Sequence, residues 1–490
     1  MGTARPQQQD AGTRSSVNEP LLSHEQEGKD EGQSDNVSRK SRAGQVARAA
    51  LNLINTGTGT STVSIPMVVR TLGLGLALFS AALQSVLGIA ANHVISRESD
   101  KDNAGSYHDL MQSRFGKWGG RAVAVAQASG PRSRLRACRG SYRRLVAINS
   151  LGKLVVWLII LADVIVGTPG QHDGLLPELL HLGDDAEGKW YMRRAPWIVG
   201  VVLLSLPAIS VRSLNKLSGI SFLGDLACLF IAAAGISLWV VAGKAGEAHP
   251  LHWLPSREET GAKTTGRLVL EVGSALPVML GAAFTQNNIN TVMDQVRPYR
   301  QAPLDIASAT ARVTTIALFL TLGISNYAVF GTELHPDVLN NYSRSGLGKL
   351  VSPLAAAWLA ATAKGAFFLN GIVSLPMYLR PYQRSMWDAL PNQDPEERMA
   401  DTKSFVLTNY VSIAACAVVA MLVPDVWKPL KLLGATAVSS MAFIYPGAIL
   451  IAASKRGSGG AVPPREVVLG WVMVVVGVIQ LFFGVVAQFI

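Results

Sequence analysis

The sequence predicts an all-helical integral membrane protein with about eleven transmembrane helices. Its 490 residues are 49% hydrophobic and only 16% charged, and the apolar residues fall in long stretches of membrane-spanning length. One of these stretches is interrupted by a run of small polar residues, which a bilayer tolerates only where the backbone is enclosed by protein or lines a cavity. A polytopic membrane protein with a non-helical segment in its interior is therefore expected.

Eleven stretches are long enough to cross a bilayer, and we number them spans 1 to 11. Their predicted limits are 46–69, 71–96, 145–168, 195–211, 214–242, 267–289, 305–331, 351–379, 404–423, 429–453 and 466–490. Arg39, Lys40 and Arg42 precede span 1, so the N-terminus is predicted to be cytosolic. The same rule places the acidic loop 168–194 outside. The sequence leaves open the plasma membrane and a vacuolar or lysosomal membrane.

Two polar segments flank or interrupt this membrane domain, which is predicted to cover 46–490. Residues 1–38 contain few large apolar residues and are predicted to form a disordered cytosolic tail. In the stretch 129–144, six arginines lie between Arg132 and Arg144, a density that lipid does not accept. Either span 3 begins at Leu145 or this stretch is an insertion into the third helix. The net charge of +11 suits the cytosolic flanks, and no nucleic-acid partner is expected.

The interruption in span 1 runs from Asn55 to Pro66 and contains two glycines and six small hydroxyl residues. Such residues are poor helix formers, so the helix should break here and resume afterwards. In transporters, half-helix ends at membrane depth bind carboxylates and small cations. We expect the amides from Thr58 to Ser61 to face a substrate carboxylate, and the carbonyls before the break and the Asn55 side chain to suit a cation. The alternative is a kinked helix packed through small residues.

Span 6 contains a similar pattern. Pro277 and Gly281 are predicted to interrupt it, and Thr285 with Gln286-Asn287-Asn288 forms a polar run near its cytosolic end. A second discontinuous helix beside the first is what a central binding site would require. The alternative is a proline kink that ends in a polar loop.

Other polar groups within the spans have weaker signals. Ser374 offers a hydroxyl in span 8 next to Pro376, although a serine in a membrane helix more often bonds its own backbone. Five charged residues lie within predicted spans: Lys153, Asp163, Asp225, Glu271 and Lys364. Coupling or substrate-charge roles are open to Asp225 and Lys364, and pairing or snorkelling is the alternative.

The sequence contains no Cys-x-x-Cys pair, no phosphate-binding glycine loop followed by lysine and no His/Glu pair at helical metal spacing. An enzyme is therefore not expected, and no cofactor is implied. The segment Asn341-Tyr342-Ser343 between spans 7 and 8 fits an N-glycosylation acceptor, a three-residue match that also arises by chance.

Several motifs, each weak alone, occur together in an order that resembles the amino acid/auxin permease superfamily, close to its branch of sodium-coupled neutral amino acid transporters. The motifs are Asn55-Thr56 through Ser64-Ile65-Pro66, Ser106-Tyr107 through Phe115-Gly116-Lys117-Trp118-Gly119, Ser221-Phe222-Leu223-Gly224, Leu276-Pro277 to Asn287, Tyr327 with Phe330-Gly331, and Leu433-Gly434-Ala435-Thr436 to Pro446. The resemblance extends from about Ala47 to the C-terminus. The stretch 129–144 departs from it, because the family has a continuous third helix there.

The resemblance implies a LeuT-like fold, in which helices 1–5 and 6–10 form inverted repeats and helices 1 and 6 are broken. It implies symport of an amino acid with sodium or a proton by alternating access, with the lipid bilayer as the surroundings. The implied substrate site contains Thr56, Gly57, Thr58, Gly59, Thr60, Ser61, Phe284 and Asn287. By position in the family, Asn55 and Ser374 match sodium-binding residues. An amino acid sensor with little transport, or a uniporter without ion coupling, remains the alternative.

Overall fold

We describe the protein from a computed structural model of the chain. It describes the backbone of residues 27–104, 107–115, 131–167, 174–180, 189–211, 215–293, 296, 299–389, 395–423, 425–456 and 463–489. The chain divides into two units, 1–45 and 46–490, and the second contains the helices considered below.

Long helices coincide with the predicted spans. They are Glu27–Gly57, Ile65–Lys101, Pro131–Val166, Arg194–Ser210, Asn215–Ala245, Thr265–Ala282, Gln301–Phe330, Pro353–Ala389, Thr402–Leu422, Trp427–Leu433 with Tyr445–Arg456, and Pro464–Val486. Eight helical segments of the described residues are long and apolar enough to cross a membrane by length and composition. The all-helical fold class is confirmed, and the count of eleven spans stays a prediction.

Span 1 is broken where the sequence predicts. Its first helix ends at Gly57, a short 3-10 helix covers Thr62–Ser64, and the chain becomes α-helical again at Ile65. The resumed helix turns at Gly73, whose φ of 71° is left-handed, and this residue separates span 1 from span 2. A Cβ on Gly73 would lie 2.7 Å from the Leu254 carbonyl carbon, so both the backbone angle and the close approach require glycine here.

The break in span 6 lies later than predicted. Pro277 lies inside the regular helix Thr265–Ala282, and the irregular residues are 283–285, followed by a 3-10 helix at Gln286–Asn288. Gly434 packs against Pro277, because a Cβ on that glycine would lie 2.3 Å from the proline carbonyl oxygen. The prediction that Pro277 and Gly281 interrupt the helix is therefore wrong in position, since neighbouring helices can accommodate a proline in a membrane helix.

Span 10 contains a feature that the sequence does not predict. Between its two α-helical parts the backbone forms two π-helical turns, Gly434–Val438 and Ser440–Ile444. The Tyr107 hydroxyl donates to the Met441 carbonyl within the second turn at 2.9 Å. A π-turn leaves carbonyls poorly paired within the helix, and a tyrosine from the neighbouring element supplies a partner.

Three predicted features outside the spans have different outcomes. Helical backbone is described from Glu27, and the disorder of the tail 1–38 stays a prediction. Residues 1–26 lie outside the described residues.

The backbone of the arginine-rich stretch is described from Pro131 as part of the helix to Val166, and its side chains up to residue 144 are not described. Whether the stretch is an insertion stays a prediction.

The glycosylation motif is buried. The Asn341 side chain is 6% exposed; its Nδ2 donates to the Glu333 carbonyl at 3.0 Å, and its Oδ1 accepts from the His335 amide at 2.9 Å. The Tyr342 hydroxyl donates to Asn326 Oδ1 at 2.9 Å. In this fold the asparagine organises its own loop, and a glycan on its Nδ2 would replace the bond to the Glu333 carbonyl.

Candidate functional site between the two helix breaks

The two interrupted helices face each other across the centre of the bundle. A Cβ on Gly281 in span 6 would lie 3.3 Å from the Ser61 hydroxyl in span 1, and one on Gly57 would lie 3.9 Å from the Ala282 carbonyl oxygen. Asn288 Nδ2 also donates to the Thr56 hydroxyl at 3.1 Å. The absence of side chains at Gly57 and Gly281 lets the two backbones approach, and the predicted central pairing of the two breaks is present.

The break in span 1 exposes backbone donors. The amides of Gly59, Thr60 and Ser61 make no hydrogen bond within the described part of the chain, whereas the Thr58 amide donates to the Ile54 carbonyl at 2.9 Å. Thr58 still belongs to the last helical turn, so the predicted run of free amides is one residue shorter than expected. The three remaining donors are suited to an anionic group such as a carboxylate.

A short segment of the loop between spans 7 and 8 covers one side of this break. The 3-10 helix Val338–Asn340 contacts Thr62–Ser64, and all of these residues are buried. The Leu339 amide donates to Asp337 Oδ1 at 2.9 Å, which fixes the start of the short helix. The break is therefore closed on this side, which the charge pattern predicts to be external.

The break in span 6 is held open by polar side chains from spans 2 and 7. The Arg312 guanidinium, which is buried, donates to the Ala283 carbonyl at the end of the first half-helix, where the helix dipole favours a cation. Asn92 Nδ2 donates to the Thr285 hydroxyl at 3.2 Å, and Gln286 Oε1 accepts from the Thr285 amide at 3.1 Å. The side chain of Asn287, a predicted substrate contact, lies outside the described residues.

A lysine that is not part of the predicted site lies at the same place. Lys153 Nζ is 5.7 Å from the centroid of the Phe284 ring and 5.3 Å from that of Tyr378. The Tyr378 hydroxyl lies 3.3 Å from the position of a Cβ on Gly59. Lys153 from span 3 therefore lies beside Phe284 and beside Tyr378, whose hydroxyl lies close to Gly59. In the sequence, the signal for this contact is a lone lysine within an apolar run.

Asp225 in span 5 contacts the break in span 1 directly. The Thr58 hydroxyl donates to Asp225 Oδ1, and the same hydroxyl lies 3.3 Å from the carbonyl oxygens of Ile54 and Asn55. The Asp225 side chain is buried. A carboxylate, a hydroxyl and two carbonyls thus converge at the end of the first half-helix.

Ser374, one of the two predicted cation ligands, bonds within its own helix. Its hydroxyl donates to the Asn370 carbonyl at 2.8 Å, which is the self-bonding of a membrane serine considered above. Asn370 in turn packs against span 5, since a Cβ on Gly224 would lie 2.3 Å from Asn370 Oδ1. The other predicted ligand, Asn55, contributes its backbone carbonyl, which lies beside the Thr58 hydroxyl. Its side-chain amide makes no hydrogen bond with Thr58 or Asp225 within the described residues.

The remaining predicted intramembrane charges form ion pairs, which confirms the simpler of the two interpretations. The pairs are Asp163 with Arg194 at 2.6 Å, Glu271 with Lys431 at 2.5 Å, and Lys364 with Glu178 at 3.9 Å. These charges therefore join helices and loops. Of the five predicted charges, Asp225 and Lys153 contact residues at the breaks, where Arg312 adds a second cation.

Comparison with known families and relatives agrees with this geometry. A family model described as transmembrane amino acid transporter protein matches residues 42–129 and 136–490, and the short gap lies within the arginine-rich stretch. Amino acid transporter AVT6D from Arabidopsis thaliana is 25% identical over 89% of this chain and 90% of its own length. Sodium-coupled neutral amino acid transporter 7 from Homo sapiens is 22% identical over 88% of this chain and 86% of its own.

Solved structures show the same fold. A manganese transporter from Eremococcus coleocola, in a mutant form, superimposes with a TM-score of 0.54 at 13% identity, over 91% of this chain and 86% of its own. At this identity the similarity concerns the fold alone, and it confirms the predicted LeuT-like class.

Proposed function

The chain belongs to the family of transmembrane amino acid transporter proteins, and from this premise we propose that it carries an amino acid together with a monovalent cation, by alternating access. The apposition of the two helix breaks supports this proposal most directly. Three free amides at Gly59, Thr60 and Ser61 suit the substrate carboxylate, and carbonyls at the broken ends suit its ammonium group. Thr56, Gly57, Thr58 and Phe284 surround this position.

We propose that the coupling cation binds at Asp225. Among the described residues no lysine, arginine or histidine pairs with this buried carboxylate, and an unpaired buried charge is costly. A proton or a sodium ion would neutralise it, and Thr58 with the Ile54 and Asn55 carbonyls offers the oxygen ligands that a hard cation prefers. Because Thr58 adjoins the amides proposed to hold the substrate, cation and substrate would organise the same segment, which is the basis of coupling.

The test is uptake of a panel of labelled amino acids into proteoliposomes, with and without sodium and with and without a pH gradient. We expect uptake that rises with one of the two cation gradients, and Asp225→Asn should remove that dependence. Tight binding without uptake would favour the sensor, and uptake indifferent to both gradients would favour the uniporter. Either result would overturn the symport proposal.

The protein is a multi-pass membrane protein, and we propose a plasma or vacuolar location with the N-terminus in the cytosol. One relative, vacuolar amino acid transporter 5 from Schizosaccharomyces pombe, is 21% identical over 62% of this chain, which supports the vacuolar choice. Protease protection of an N-terminal tag in isolated vacuoles tests both statements. Cleavage of the tag without detergent is expected, and protection until detergent is added would reverse the orientation.

A further inference from the structure

The cation at the centre of the bundle has no counterion among the described residues. Lys153 is 8% exposed, and the contacts of its ammonium within the described part of the chain are with the faces of two aromatic rings, Phe284 and Tyr378. Cation–π contacts offset part of the cost of burying an ammonium group but do not replace a carboxylate partner. A negative charge beside Lys153 would therefore be strongly favoured.

The other buried or half-buried cations described above are each used within the protein. Arg194 pairs with Asp163, and Lys431 pairs with Glu271. Lys364 lies 3.9 Å from Glu178, and Arg312 meets the Ala283 carbonyl at a helix end. Arg312 also lies at the break in span 6, but a helix-end carbonyl accepts its hydrogen bond. Lys153 has no oxygen partner among the described residues, so its partner is expected to come from the substrate.

In the proposed function, the free amides of Gly59, Thr60 and Ser61 bind the α-carboxylate of the substrate. A second anion-binding group beside them implies a second carboxylate on the same molecule. The Phe284 and Tyr378 rings, which flank the ammonium, would contact the methylene groups that lead to that carboxylate.

We propose that this transporter selects amino acids with an acidic side chain, and that Lys153 binds the side-chain carboxylate. This inference rests on the proposed function, since it names the substrate class of the same site. It assigns to Lys153 the role of a specificity residue, and it leaves the backbone of the substrate to the helix breaks.

The test uses pairs of substrates that differ only in side-chain charge: glutamate with glutamine, and aspartate with asparagine. In wild type, uptake of labelled glutamate should exceed that of glutamine about tenfold or more, the factor that a charge-assisted hydrogen bond supplies. Lys153→Met should lower glutamate uptake far more than glutamine uptake and so abolish this preference, and Lys153→Arg should retain part of it. Lys349→Met, at an exposed lysine, is the matched control and should behave as wild type.

Two results would overturn the proposal. The first is a wild-type preference for glutamine over glutamate, which needs no variant and is therefore independent of any folding defect. The second is an equal loss of glutamate and glutamine uptake in a Lys153→Met protein of normal thermal stability, which would make Lys153 a partner of the α-carboxylate or a structural residue. Failure of the proposed function itself would be distinct, since it would appear as absent uptake of both classes or as uptake indifferent to the sodium and pH gradients.

Discussion

A side chain at Gly59 should block the substrate site without unfolding the protein. The glycine lies in the break of span 1, and a Cβ there would lie 3.3 Å from the Tyr378 hydroxyl, with no other atom outside its chain neighbours within 4 Å. Alanine therefore requires the tyrosine to shift by a few tenths of an ångström. Valine adds two further methyl groups beside the amides proposed to receive the substrate carboxylate.

Overpacking of this kind costs about 1–3 kcal/mol, which corresponds to a roughly fivefold to hundredfold loss of affinity if the cost falls on the bound state. We expect Gly59→Val to lower uptake at substrate concentrations below the wild-type KM by up to about a hundredfold, and Gly59→Ala to weaken it less. Both variants should express and unfold thermally as wild type does. Gly200→Val is the matched control, since a Cβ at Gly200 meets nothing within 4 Å.

The assays are labelled amino acid uptake and the rise in unfolding temperature that the substrate produces. Wild-type uptake and an unchanged substrate-induced rise in Gly59→Val would refute the reasoning, because they would place the substrate away from the break of span 1. A fall in thermal stability of Gly59→Val without substrate would show that the extra volume acts on the fold instead.

Three further predictions concern the cation site, a loop and a turn. If wild type is driven by sodium, Ser374→Ala should weaken the sodium dependence of uptake more than its maximal rate, and Ser374→Thr should be tolerated. If wild type is driven by protons, Ser374→Ala should change nothing, and the pH dependence of uptake should vanish in Asp225→Asn. Uptake measured against external sodium and pH distinguishes the two cases. Burial raises the pKa of Asp337 from 3.8 to about 7, so the folded protein favours the protonated form. The stability of the fold should therefore fall as pH rises from about 4 through 7. The melting temperatures at pH 5 and pH 8 should differ less in Asp337→Asn than in wild type, and an unchanged difference would exclude Asp337 as the cause. Gly73→Ala should lower the melting temperature, because alanine would have to adopt a left-handed φ and place its Cβ 2.7 Å from the Leu254 carbonyl carbon. Gly243→Ala is the control and should leave the melting temperature unchanged. Equal melting temperatures for the two variants would show that the turn can relax.

The helices and the first break could be predicted from sequence because their signals are local. Long apolar runs determine the spans, and glycines with small hydroxyl residues between Asn55 and Pro66 determine where the first helix fails. The second break was harder to place, since Pro277 stays helical while the backbone opens at 283–285. What decides this is the packing of Arg312 and Asn92 on the broken end, which depends on other spans.

The charges at the site show the same limit. Asp225 and Thr58 are 167 residues apart in the chain, and no local pattern joins them. Lys153 has neighbours from spans 6 and 8, so its sequence surroundings show only an apolar run. Conversely, Asn341 matches a local motif that tertiary burial overrides. Local patterns predict the spans and the first helix break, whereas long-range contacts place the second break and identify the charges between the two.

The most direct test of the central claim is accumulation of a labelled amino acid inside proteoliposomes above its external concentration. We predict that wild type concentrates its substrate only while an inward sodium or proton gradient is imposed, and that Asp225→Asn equilibrates the substrate without concentrating it. Equal accumulation by wild type and Asp225→Asn, or wild-type uptake that never exceeds equilibrium under either gradient, would contradict coupled transport through this site.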